Sequence, residues 1–152
     1  MRFLTILLTT AILGSALAAG PPNPILGTWK LNVAKSRFSS GSAPQSQTRV
    51  YEMSPEGVVM VTTTTIDAHG KSSKSMFPAK YDGKPYPVSD LGEATAMALR
   101  KVDDRTAAIT VTHAGTVIAT AERIISEDGN TMTITNKTVD PPGEDVSVYD
   151  RQ

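Results

Sequence analysis

The sequence contains no cysteine, few aromatic residues and no excess of charge of either sign. Its 152 residues include 15 basic and 15 acidic side chains, and aromatic residues make up 5% of the total. The absence of cysteine excludes a disulfide framework, a thiolate metal site, a cysteine nucleophile and a lipid-modified N-terminal cysteine. Because nucleic-acid binding requires a basic surface and favours stacking side chains, we expect no nucleic-acid partner.

The chain also lacks an apolar run long enough to cross a membrane, although its N-terminus is hydrophobic. Arg2 precedes an apolar stretch, Phe3–Leu13, and Ala16-Leu17-Ala18 supplies the small residues at which signal peptidase cleaves. The stretch is shorter than the roughly 20 residues that a transmembrane helix needs. We therefore expect a signal peptide over residues 1–18, a secreted or periplasmic product and no transmembrane anchor after cleavage. A secreted domain without disulfides also indicates a bacterial protein.

Helix-forming segments are scarce in the remainder of the chain. Residues 19–24 contain three prolines and are expected to form an extended lead-in, and residues 25–152 have the length of one domain. Only Asp90–Lys101 resembles a helix, with Asp90 as its N-cap. The glycine at position 92 and the hairpins on either side favour a strand there.

Short β-type runs alternate with turn residues from position 25 onward. Apolar and polar residues alternate within several runs, as where Met132 and Ile134 are separated by threonines, which predicts strands with one buried face. A further hairpin is expected over Ala79–Val88, with its turn at Asp82-Gly83 and an edge or rim marked by prolines. The predicted runs are Thr28–Asn32, Gln47–Met53, Val58–Asp67, Ser72–Pro78, Ala94–Val102, Ala107–Thr112, Thr116–Ser126, Thr131–Thr138 and Val146–Arg151.

These tight turns leave no room for helical crossovers. The sequence therefore predicts an all-β fold, an antiparallel up-and-down meander of about 8–10 strands. Closing such a sheet into a barrel removes the open edges that would otherwise favour aggregation.

The opening segment Ile25–Leu31 contains Gly27-Thr28-Trp29, which resembles the G-x-W of the first strand in the lipocalin and fatty-acid-binding-protein superfamily, the calycins. The longer stretch GTWKLNVAKSRF is similar to the opening of small secreted bacterial lipocalin-like proteins. The resemblance implies a lipocalin-like barrel in which Gly27 bends the chain and Trp29 plugs one end. It also implies that a basic residue of the last strand packs on the indole, with Arg151 as first choice and Arg123 as second.

The chain departs from that superfamily in three places. Val33–Ser46 is a short polar segment where fatty-acid-binding proteins insert two helices, and no helix follows the last strand. The superfamily's carboxylate-binding Arg-x-Tyr belongs on the final strand, whereas here Arg49-Val50-Tyr51 lies on the second. Arg49 and Tyr51 share one face of that strand. They either bind a carboxylate by charge-assisted hydrogen bonds or, as the sequence favours, lie on the outer surface.

Candidate chemical groups are few. His113 continues the face of Ile109 and Val111, so it either reaches the interior near a rim or ends the strand in solvent, and His69 lies in a turn. The separation of these two histidines matches no metal-binding pattern, and no catalytic motif is present, so we expect no metal, no cofactor and no enzymatic activity.

Two functions fit this description. The first is a binding protein that holds a small apolar or amphipathic ligand in its lumen, with Arg49, Tyr51 and His113 as polar contacts. The alternative is a ligand-free envelope module, structural or interacting, whose lumen is packed with side chains. An enzyme of unknown type is the least favoured possibility, because the fold by itself does not determine function.

Overall fold

The computed structural model describes residues 23–39 and 42–152. The expected signal peptide lies outside the described residues, as do positions 19–22 of the lead-in. Within the described part of the chain, no helix has the length and hydrophobicity needed to cross a membrane.

Ten β-strands and one short 3-10 turn, Val33–Lys35, make up the regular structure of this part of the chain. Alternation of apolar and polar residues, with Gly, Asp or Pro in the connections, is the reason that these segments form strands. The strands are β1 Gly27–Leu31, β2 Ser46–Met53, β3 Val59–Ile66, β4 Ser72–Ala79, β5 Asp82–Pro87, β6 Ala96–Lys101, β7 Thr106–His113, β8 Thr116–Ile125, β9 Thr131–Thr138 and β10 Gly143–Arg151.

The sheet is an antiparallel meander in which the first strand pairs with the last. Strand order is β4-β3-β2-β1-β10-β9-β8-β7-β6-β5, and Trp29 on β1 lies opposite both Arg49 on β2 and Arg151 on β10. The all-β fold, the strand number and the up-and-down order predicted from the sequence are confirmed. The barrel is nearly closed but not completely so, because the two strands at the ends of this order, β4 and β5, do not pair with each other.

That gap corrects two details of the sequence prediction. Closure does not remove every edge, and the edge strand β5 carries Pro85 and Pro87, which have no N–H to donate to a neighbour. Ala79–Val88 is not a separate hairpin: the chain turns at Lys80-Tyr81, and Asp82-Gly83 begins β5. Asp90–Lys101 contains strand β6 rather than a helix, as the sequence favours.

The hydrophobic core fills one end of the barrel, which we call the base. Trp29 is fully buried there, and its indole Nε1 donates a hydrogen bond to the carbonyl of Ile25 at 2.8 Å. Buried aliphatic and aromatic side chains from strands around the barrel surround it, among them Val61, Ile125 and Met132. The opposite end, which we call the mouth, is formed by the β3–β4, β5–β6, β7–β8 and β9–β10 connections and by the segment after β1.

Candidate functional site

Above the core, the barrel encloses a cavity of about 240 Å³, the lumen cavity. One wall is apolar and includes Phe77, Leu91, Met97 and Ile109. Its residues come from β4, β6, β7, β8 and the β5–β6 connection. The other wall, mainly from β2 and β10, is polar. The polar lining residues are Gln47, Arg49, Thr63, Asn136, Asp145, Ser147 and Tyr149. The lumen is therefore neither fully packed nor uniformly apolar.

Arg49 occupies the centre of the polar wall. Its Nε donates to the hydroxyl of Tyr149 at 3.2 Å and to Oε1 of Gln47 at 3.3 Å, and its Cζ lies 5.4 Å from the centre of the Tyr149 ring. The Tyr149 hydroxyl in turn donates to Oε1 of Gln47. Tyr51, two residues along the same strand, also interacts with the guanidinium. Among the described residues, the Arg49 guanidinium forms no ion pair with a carboxylate.

Arg49 remains a cation in this environment. Burial acts to lower its pKa, but the electrostatic interactions with Tyr149 and Tyr51 outweigh that effect and raise the pKa above its usual range. A protonated guanidinium that faces a cavity and has no counterion among the described residues is suited to an anionic group, and above all to a carboxylate.

The predicted ligand-contact residues lie in different places. Arg49 and Tyr51 both line the lumen cavity, in contrast to the outer-surface position that the sequence favours. Tyr51 is 4% exposed. His113 ends β7 at the mouth, is exposed and contacts the carbonyl of Glu93 through Nδ1 at 2.5 Å, so it lies outside the cavity lining. Tyr149 and Gln47 are not among the residues predicted from the sequence, although Tyr149 shares a face of β10 with Arg151.

Gly27 and Trp29 of the opening segment meet Arg151 of the last strand at the base. The Cζ of Arg151 lies 4.1 Å from the centre of the Trp29 ring. Its guanidinium donates to the carbonyls of Gly129, Leu26 and Pro24 at 2.6, 2.7 and 2.5 Å. Gly27 has φ +123°, and a Cβ at this position would lie 2.9 Å from Nη1 of Arg151. Arg123, the second choice for the indole, contacts Tyr51 and Tyr81 instead.

A cluster of side chains suited to hold a metal ion does not appear in the described structure. No group of three or more His, Cys, Asp or Glu side chains converges within residues 23–39 and 42–152. Hydrogen bonds from nearby backbone amides lower the pKa of the turn carboxylates Asp67 and Asp103. The pKa of Asp128 is lowered first by the hydroxyl of Ser126 and then by the amide of Asn130. Their role is to close turns.

Comparison with known proteins shows similarity in fold. No family model and no curated protein sequence matches the chain. The structure is similar to that of the fluorescent protein UnaG, with a TM-score of 0.57 and 14% identity over 84% of this chain and 97% of that one. It is also similar to zebrafish ileal bile acid-binding protein complexed with cholic acid, with a TM-score of 0.53 and 10% identity over 85% of this chain and 99% of that one. The chain thus shares the barrel fold of these two proteins.

Proposed function

We propose that this protein binds a small amphipathic ligand in the lumen cavity, with an anionic group of the ligand paired to Arg49. The observation that carries the proposal is the cation itself: a guanidinium held by Tyr149 and Gln47 faces a cavity, and no carboxylate among the described residues pairs with it. The opposite wall is apolar, so the cavity matches a molecule with one anionic and one hydrophobic side. Zebrafish bile acid-binding protein, a barrel of similar fold, has cholic acid bound.

The cavity volume limits the size of the ligand. At about 240 Å³ it is smaller than the roughly 300–1,000 Å³ of pockets that enclose drug-sized molecules. The ligand is therefore small, or it inserts one end and leaves the remainder at the mouth. The half-buried carboxylate of Asp145 also lines this cavity and accepts hydrogen bonds from Ser39, so the anionic group of the ligand avoids it and sits beside Arg49.

The same proposal includes the cellular context. A signal peptide over residues 1–18 directs the chain to the periplasm or the exterior of a bacterium, where it acts as a binding protein without enzymatic activity. N-terminal sequencing of the protein exported by its host tests the cleavage after Ala18. An intact N-terminus would contradict that part of the proposal alone.

Titration with an anionic apolar probe, 8-anilinonaphthalene-1-sulfonate, tests the binding site. We expect one saturable site in the wild type. Arg49→Met should weaken binding about tenfold or more, since a hydrogen-bonded charge contributes roughly 1.5–3 kcal/mol. Arg100→Met is the matched control, because Arg100 is an exposed arginine on β6 that does not line the cavity. Equal affinity of the two variants would contradict a role for Arg49.

The packed-lumen alternative remains testable in the same assay. It predicts that Arg49→Met leaves probe binding unchanged, because a lumen without accessible space excludes the probe.

A further inference from the structure

A second cavity, of about 440 Å³, lies at the base and is separate from the lumen cavity. The β6–β7 connection (102–105), the β8–β9 connection (126–130) and the segment before β1 form its rim. We call it the basal cavity. Arg123, which is 6% exposed, contributes to its lining from β8. Since the two cavities share no lining residue, the lumen ligand does not account for Arg123.

Arg123 is a buried cation without a counterion in the described structure. Its Nη1 donates to the hydroxyl of Tyr81 at 2.8 Å, and its Cζ lies 5.3 Å from the Tyr81 ring centre and 5.8 Å from that of Tyr51. Its Nε is the one buried side-chain nitrogen or oxygen among the described residues that has no hydrogen-bond partner. An arginine stays protonated in proteins, and burying a charge without a compensating partner is costly.

The carboxylates at the rim do not supply this counterion. Each has a different partner within the turns, and the side chains of Asp104 and Glu127 are 84% and 92% exposed. The pairs are Lys101 with Asp104 at 2.5 Å, Arg105 with Glu127 at 3.7 Å, and the amides of Arg105 and Thr106 with Asp103 at 2.8 Å each. Once these pairs are assigned, Arg123 and Asp103 are the charges of the cavity lining that have no ion-pair partner, and the carboxylate of Asp103 is held by two backbone amides rather than by Arg123.

We propose that the basal cavity binds a small carboxylate anion that pairs with Arg123. Tyr81 occupies Nη1, and among residues 23–39 and 42–152 neither Nε nor Nη2 donates a hydrogen bond. Nε is buried, so Nη2 is the N–H group of Arg123 left to donate a charge-assisted hydrogen bond to a carboxylate oxygen. Pro24, Tyr81 and Ala107 provide apolar surface in the same lining, so the anion carries a short apolar body.

Benzoate is a suitable probe, and benzamide has the same shape without the charge. In the purified ¹⁵N-labelled protein, we expect benzoate to shift the Nε–H resonance of Arg123 to saturation and benzamide to leave it in place. Arg123→Met should weaken benzoate binding at least tenfold in calorimetry. Arg37→Met removes an exposed arginine that pairs with Glu144 and lines neither cavity, and it should change the affinity less than twofold.

The wild-type resonance reports directly on Arg123, so the test does not depend on the folding of the Arg123 variant. Absence of a saturable shift with benzoate would overturn the proposal, as would equal shifts with benzamide. An unchanged affinity in Arg123→Met would also overturn it. The lumen proposal is tested at Arg49 and is unaffected by any of these results.

Discussion

Arg151 on the last strand lies over the indole of Trp29 on the first, with Cζ 4.1 Å from the ring centre, and the two residues face each other in the β1–β10 ladder. Their contact joins the two ends of the domain at the base of the barrel. The guanidinium also donates to three backbone carbonyls, so one side chain connects β10 to the β8–β9 turn and to the segment before β1.

We expect Arg151→Met to destabilise the fold by about 2–4 kcal/mol, because it removes charged hydrogen bonds and a cation–π contact from buried partners. Urea unfolding followed by Trp29 fluorescence measures this loss. Arg37→Met is the control: its guanidinium pairs with Glu144 at 3.3 Å, but the side chain is 71% exposed, so the change should stay within about 1 kcal/mol. Equal effects of the two substitutions would refute an anchoring role for Arg151.

Gly27→Ala should lower stability by about 2–4 kcal/mol. Its φ of +123° is unfavourable for any residue with a Cβ, and the added atom would lie 2.9 Å from Arg151. Gly57 also has a positive φ, +77°, but open space around it, so Gly57→Ala should cost only about 1–2 kcal/mol. Chemical denaturation gives the free energy of unfolding of both variants. The Gly27 variant carries backbone strain and a steric clash, whereas the Gly57 variant carries backbone strain alone. If the two substitutions lowered stability equally, the predicted clash with Arg151 would be contradicted.

Acid should destabilise the protein through its turn carboxylates. Hydrogen bonds from the amides of Arg105 and Thr106 lower the pKa of Asp103 below its ordinary value of 3.8. Because the pKa of Asp103 is lower in the folded state, its ionised carboxylate stabilises the fold. This stabilisation is complete when the pH is above the pKa of the unfolded state, and it is lost as the pH falls through the pKa of the folded state. The thermal midpoint should therefore decline below about pH 4, and less steeply in Asp103→Ala than in the wild type.

Asp104→Ala is the control for this pH dependence. Asp104 is adjacent in sequence, but its side chain is 84% exposed and pairs only with Lys101. The pH profile of this variant should follow that of the wild type. If Asp103→Ala also kept the wild-type profile, the turn carboxylate would not be the source of the acid sensitivity.

Filling the lumen cavity should abolish ligand binding while the barrel stays folded. Ala121 lies in the apolar wall, and Ala121→Phe should reduce probe affinity more than tenfold, because the added ring occupies the space of the ligand. Ala108 is half-buried on β7 and does not line this cavity, so Ala108→Phe should keep wild-type affinity. Titration with the anionic naphthalene probe, alongside circular dichroism, separates loss of binding from loss of fold.

Much of the fold follows from the sequence because period-2 alternation and turn residues act locally. The strand order, the burial of Trp29 and the pairing of the first strand with the last are consistent with those local signals. The separation of β4 and β5 is different, since it depends on how ten twisted strands fit around one core. Pro85 and Pro87 indicate an edge, but not which strand faces them across it.

The site was less predictable because its residues have no pattern of their own. β2 carries polar residues on both faces, so composition does not show which face of the strand points inward. The register of the β1–β2 pair shows which face of β2 points inward. Residues directly opposite in an antiparallel ladder share a face, and Arg49 lies opposite the buried Trp29. Tyr149 and Gln47, which hold Arg49, are 102 residues apart in the sequence. They come into contact because their strands, β10 and β2, lie on either side of β1 in the sheet.

Native mass spectrometry of the protein purified from its natural host tests the central claim most directly. We predict that one equivalent of a small anionic amphipathic molecule accompanies the wild-type protein and is absent from Ala121→Phe prepared in the same way. A wild-type protein that carries no such molecule and does not bind the anionic probe would contradict lumen binding.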